Sequence, residues 1–202
     1  MENLIINEQQ IRDIYSMSYT VSESRGKERQ NSINRTLVSC LKNLKEYEGC
    51  EFLFEVRLKK NEILWGEHFA VDVQVLKDGE LTEILLFKAP ASNLAQNHVN
   101  ALNSKAGELL RLAKLASKGI KIKFLSLLPN KTPYFTRDDS IKHFETNSPS
   151  SICYVKEYLT FDFQEITITF DIEGIESCKS RQDITELLTT ESVITNIKTY
   201  VF

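Results

Sequence analysis

The chain has 202 residues, 42% hydrophobic and 26% charged, with a formal net charge of −3. That length and composition suit one soluble globular domain, residues 1–202, better than two. The acidic balance argues against a protein that coats nucleic acid non-specifically, yet leaves room for a local basic cleft.

No apolar run approaches the length needed to cross a membrane. The opening "MENLIINEQQ" lacks the basic and apolar regions of a secretory signal, so the expected location is cytoplasmic. Cys40, Cys50, Cys153 and Cys178 lie far apart, with no CxxC pair and no His at zinc-finger spacing. They read as reduced, packed thiols.

"NEQQIRDIYSM" reads as a short helix and "TVSESRGKE" as a loop. From about Lys27, Ile33, Leu37, Leu41 and Leu44 recur at helical spacing, and "YEGC" supplies a glycine stop. Phe52, Phe54, Val56 and Leu58 then alternate with polar residues, as do Phe69, Val71, Val73 and Val75. Both runs predict half-buried strands. "KDG" is a hairpin turn, because glycine tolerates the positive φ that tight turns need. "TEILLFKA" follows as a third strand, ended by Ala89-Pro90.

"LAQNHVNALNSKAGELLRLAKLASKG" is a long helix with Val99, Leu102, Ala106, Leu109 and Ala113 as its apolar face. Ser92 or Asn93 is positioned to cap it, and Gly119 ends it. "IKIKFLSLL" is a strand, expected to pair in parallel after the helical crossover. Residues 129–151 read as loop, being rich in Pro, Asn and Ser. Strand alternation resumes through Phe161, Phe163, Ile166, Ile168 and Phe170, and "SRQDITELLTTESVITNIKTY" reads as one or two closing helices. The expected fold class is α/β (α+β): a mixed central sheet flanked by helices. Its core spans about 27–126, with a loop-rich and β-rich part over about 129–202.

The hairpin carries the chemistry. Strict alternation places His68, Ala70, Asp72 and Gln74 on one face, opposite the Phe/Val series, and Ile84, Leu86 and Lys88 on one face of the next strand. Asp72 and Lys88 can then share a side of the sheet. Burying such groups in an apolar face is costly without a purpose. A carboxylate can bind Mg²⁺, and a nearby lysine can orient an attacking water and stabilise phosphate charge. On the long helix, Asn97, Asn100, Ser104, Glu108 and Arg111 form one stripe. Amides are poor helix formers, so this stripe spends propensity on hydrogen-bonding groups.

The helix, the three-strand meander with Asp72 and Lys88, the second helix and the strand resemble the PD-(D/E)xK nuclease superfamily, which includes most type II restriction endonucleases. The resemblance covers roughly residues 27–126. Ala70 and Val71 stand where a Pro often precedes the Asp, and Leu86 occupies the slot of a second acid. Some families of the superfamily recruit the missing acid from the neighbouring helix, and Glu108 is the candidate here. Glu28 is a second candidate, at the front of the first long helix.

The resemblance implies a restriction-endonuclease-like fold and a Mg²⁺-dependent, sequence-specific deoxyribonuclease hydrolysing double-stranded DNA as a homodimer. Asp72, Lys88 and Glu108 would be catalytic, with Asp72 and Glu108 holding Mg²⁺. Asn97, Asn100, Ser104, Arg137 and Lys142 would contact DNA. Asp72 and Lys88 also allow a plainer reading as a cross-strand ion pair, and Glu108 one as a solvated acid paired with Lys105 or Arg111. The alternative function is then a catalytically silent, nuclease-like interaction or immunity factor.

Overall fold

The computed structural model describes residues 6–20, 27–148, 159, 161–190 and 192–202. Helix α1 (Glu8–Tyr19) starts at a reciprocal cap: the Asn7 side chain accepts from the Gln10 amide, and the Gln10 side chain accepts from the Asn7 amide. Helix α2 (Lys27–Leu41) follows, and Gly49, at φ 74°, lies at the turn into the first strand. Of the expected loop over residues 20–28, 21–26 lie outside the described residues, and Lys27 and Glu28 open α2 instead.

Strands β1 (Glu51–Lys59), β2 (His68–Lys77) and β3 (Glu80–Lys88) form an antiparallel meander. Asp78 and Gly79 both take positive φ at the β2–β3 turn, as an Asp-Gly hairpin requires. Helix α3 (Leu94–Ala116) crosses back to β4 (Lys121–Pro129), which pairs in parallel with β3. Then come β5 (Lys131–Phe135), β6 (Ile141–Thr146), β7 (Gln164–Ile172), α4 (Arg181–Thr190) and β8 (Ile194–Val201). The main sheet is mixed and six-stranded, in the order β1-β2-β3-β4-β7-β8. No helix of the described residues is long and apolar enough to cross a membrane.

Two apolar clusters sandwich the sheet. One gathers Ile11, Ile14 and Tyr15 of α1, Ile33 and Leu37 of α2, and Ile184 and Leu188 of α4 over Leu85, Phe87, Leu125, Ile166 and Ile168. The other packs Leu109, Leu112 and Leu115 of α3 over Ile84, Leu86, Ile122 and Phe124. The core therefore reaches beyond 27–126 at both ends, because α1, β7, α4 and β8 cover or extend the same sheet. Cys40 and Cys178 are free, buried thiols and Cys50 a free, half-buried one. Cys153 lies outside the described residues.

Three expectations need correction. Residues 131–146 form an antiparallel hairpin rather than a loop, with Tyr134 opposite His143. Proline is compatible with this two-stranded sheet because each strand has a free edge. The end of the chain is a strand, not a second helix: "VITNIKTYV" is rich in β-branched residues, and pairing with β7 decides it. The buried face of α3 is also rotated. Lys105 lies within it, together with Leu109 and Leu112, whereas Ala106 and Ala113 are only partly buried. Lys105 is drawn in by an ion pair with the fully buried Glu165 of β7, and its ammonium lies 4.7 Å from the Phe124 ring. The side chains of Val99 and Leu102 lie outside the described residues.

Candidate active site

The site begins with a break in strand alternation. Val73 and Val75 belong to the cluster under α1 and α2, whereas Val71 belongs to the cluster under α3 and Phe69 packs against it. β1 does the same, with Phe52 on the first side and Val56 and Leu58 on the second. Both strands change face where Glu55 lies opposite Asp72. Glu55 has φ 50°, a left-handed conformation that strands avoid, and the two residues drop out of an otherwise continuous register. The expectation that His68, Ala70, Asp72 and Gln74 share one face is therefore corrected: the strand turns over at Asp72.

β2 and β3 part at the same point. Their paired register runs from Lys77 and Glu80 to Val73 and Leu85 and stops there, while β3 continues along β4 to Lys88 opposite Ser126. Asp72 bridges the fork. Its Oδ2 accepts the Phe87 amide at 2.7 Å, replacing a ladder bond with a carboxylate. On the α3 side of the fork, Lys88 Nζ stands 2.9 Å from Glu108 Oε1, which also accepts from the Ser104 hydroxyl at 3.1 Å.

Asp72, Lys88 and Glu108 thus converge. Burial raises the Asp72 carboxyl above the usual range; the Phe87 amide and Lys88 oppose this, Glu108 adds to it, and Asn34 lowers it. Glu108 stands close enough to Asp72 for its charge to be felt there. Lys88 is paired with Glu108 instead of forming the plain Asp72 cross-strand pair. Glu108 takes neither of its expected helix partners, since Lys105 is held by Glu165 and Arg111 lies over the rings of Trp65 and Phe69.

Asn34 and Gln30 of α2 complete the site from the other side of the sheet, and sequence reasoning missed both. Gln30 Nε2 donates to Asn34 Oδ1 at 2.8 Å and reaches the Phe87 carbonyl at 3.5 Å. Asn34 is fully buried, and its Nδ2 lies near Asp72 but outside hydrogen-bond geometry. The signal was available: Gln30 and Asn34 stand one turn apart and lead into the Val38–Leu41 stripe, where an amide is out of place.

Leu86 is 1% exposed and packed among α3 residues, so the slot beside Lys88 belongs to the core. Among the described residues, no group of three His, Cys, Asp or Glu could hold a metal. The pair Asp72 and Glu108 nevertheless suits Mg²⁺, which binds through one or two carboxylates and takes its remaining oxygens from water and phosphate. The described bonds engage Oδ2 of Asp72 and Oε1 of Glu108.

The candidate DNA contacts fall in two places. Asn100 and Ser104 are exposed on α3, while the side chains of Asn97 and Glu28 lie outside the described residues. Arg137 is exposed at the β5–β6 turn, and Lys142 is exposed on β6, 5.9 Å from the Tyr134 ring. The hairpin is tied to the start of α3. Asn93, at φ 51°, exchanges side-chain hydrogen bonds with the Phe135 amide and carbonyl instead of capping the helix. Arg137 and Lys142 thus lie on a hairpin tied to Asn93 at the start of α3. No family model, curated protein or solved structure matches the chain.

Proposed function

We propose that the protein is a Mg²⁺-dependent endodeoxyribonuclease of the PD-(D/E)xK type, acting on double-stranded DNA. The observation that carries this reading is the meeting of Asp72, Lys88 and Glu108 at the β2–β3 fork. The mixed sheet with a parallel β3–β4 crossover agrees with the restriction-endonuclease-like fold that the sequence resemblance implies. Glu108, presented from the next helix, stands in for the acid that Leu86 replaces.

Asp72 and Glu108 would hold the metal, which when bound supplies charge to polarise a phosphate and acidify a water. The chain's own groups do the rest. Lys88 donates to the attacking water or to a phosphate oxygen, and its ammonium stabilises negative charge developing there. Glu108 orients that ammonium from one side. The Phe87 amide fixes the Asp72 carboxylate, and the Gln30–Asn34 pair supports the same strand end from beneath. Asn97, Asn100 and Ser104 on α3, with Arg137 and Lys142 on the hairpin, would grip DNA. Two-strand cleavage at a palindromic, sequence-specific site calls for a two-fold homodimer, as in a type II restriction enzyme.

A second reading, a catalytically silent interaction or immunity factor, draws on the Lys88–Glu108 pair, which occupies both side chains, and on the buried Leu86. One experiment separates the two. Supercoiled plasmid incubated with the protein and Mg²⁺ should be cut. Chelation of Mg²⁺, or Asp72→Ala in a folded variant, should stop the cutting. Absence of Mg²⁺-dependent cleavage across a diverse set of DNA sequences would favour the silent reading.

A further inference from the structure

We propose that the Leu64–Trp65 tip of the β1–β2 connection is a base-contacting wedge beside the cleft, selecting DNA with an unstacked or unpaired base. The proposal rests on the nuclease reading. Leu64 is 54% exposed and Trp65 41%, an unusual outlay of large apolar surface on a short connection. The tip is nonetheless held firmly. Ile63, 1% exposed, anchors it in the α3 core, and the Leu64 amide donates to the Arg111 carbonyl at 2.9 Å.

Arg111 places the tip next to the catalytic groups. It follows Glu108 by three residues on α3, a rise of about 4.5 Å. Its guanidinium lies 5.7 Å from the Trp65 ring and 5.3 Å from the Phe69 ring. An exposed indole with a cation against it is suited to a base and its phosphate together. Arg57 and Lys59, both exposed where β1 enters the connection, add positive charge for the backbone. A wedge of this kind gains most where a base step is already open, because opening a paired stack costs energy.

Trp65 is the single tryptophan of the chain, so its emission reports on this tip alone. The full chain would be titrated, with Ca²⁺ in place of Mg²⁺, against two labelled duplexes, one fully paired and one carrying a single unpaired base. DNA anisotropy and tryptophan emission would be followed together. The expected result is quenching in step with binding, and affinity for the unpaired-base duplex higher by about ten-fold. By anisotropy, Trp65→Phe should keep most of that preference and Trp65→Ala should lose it. Binding without a change in emission overturns the wedge and spares the nuclease reading. Absence of binding overturns both. An emission change driven by protein concentration alone would assign the tip to a second copy and overturn the proposal.

Discussion

Lys88 ends a strand and Glu108 lies mid-helix, yet Nζ and Oε1 stand 2.9 Å apart, with the side chains 42% and 19% exposed. An ion pair this open to water contributes little to stability, about 0–1 kcal/mol. Its value should appear in turnover instead. Lys88→Ala is expected to lower plasmid cleavage by about 10²–10³-fold, the scale for removing one stabilising donor. Glu108→Gln should cut turnover and weaken the Mg²⁺ dependence while melting within a few degrees of the parent. Unchanged cleavage by Glu108→Gln would remove Glu108 from the site.

Asp72 sets a pH dependence of definite sign. Its folded carboxyl is raised above the ordinary range, chiefly by burial. The protonated form therefore favours folding. That stability is fully present below the unfolded pKa and is lost as pH rises through the folded one. Asp72→Asn should consequently melt higher than the parent at neutral pH, with the gap closing on acidification, and should not cleave DNA. A variant less stable at neutral pH would show that the ionised carboxylate is a net stabiliser.

Leu86 occupies the position that the nuclease resemblance assigns to an acid, and it is a core residue. Leu86→Glu should cost several kcal/mol, because it sets a carboxylate inside the packed apolar cluster under α3. Leu86→Met, nearly equal in volume, should cost less than about 1.5 kcal/mol. Denaturant unfolding of both measures the contrast; a well-tolerated glutamate would place this side chain in the cleft.

Leu109 is fully buried at the centre of the α3 cluster. Leu109→Ala should destabilise by about 2–5 kcal/mol, the range for a truncated core leucine. A change under about 0.5 kcal/mol by denaturant unfolding would mean that this helix face is not packed.

Arg137 and Lys142 should contribute to DNA affinity through phosphate charge. Each substitution by alanine is expected to reduce the slope of log affinity against log salt by about 1, uniformly across sequences. A substitution that instead relaxes preference at one base pair would mark that residue as a base reader.

Much of the meander was legible because its signals are local: alternation, an Asp-Gly turn, a proline stop. Asp72 and Lys88 could be named because such groups are few on the second and third strands, and Glu108 because it falls on the polar stripe of the next helix. What the sequence hid was non-local. Nothing near Glu55 announces a left-handed residue inside a strand, so the change of face at Asp72 went unseen. On the helix alone Lys105 offers itself as a partner for Glu108, but its partner, Glu165, lies on a strand far along the chain. For Gln30 and Asn34 the local sign, amides leading into an apolar stripe, names no partner, because Phe87 and Asp72 lie far along the chain. Strand β8 was read as helix because a pairing partner, not local pattern, decides a short β-branched run.

The change of face at Glu55 and Asp72 also bears on how β2 tolerates length changes. A one-residue deletion in an ordinary half-buried strand swaps one face for the other along its whole length. In β2, a deletion between Phe69 and Asp72 would move only the leading half out of step, while Val73 and Val75 kept their seats under α2. The hydrophobic groups of the two halves would then compete for a single layer, and Asp72 would be pulled from the Phe87 amide. Such deletions should behave as misfolded chains rather than as weakened enzymes, whereas a residue added between Lys60 and Asn61, both exposed, should be far better tolerated.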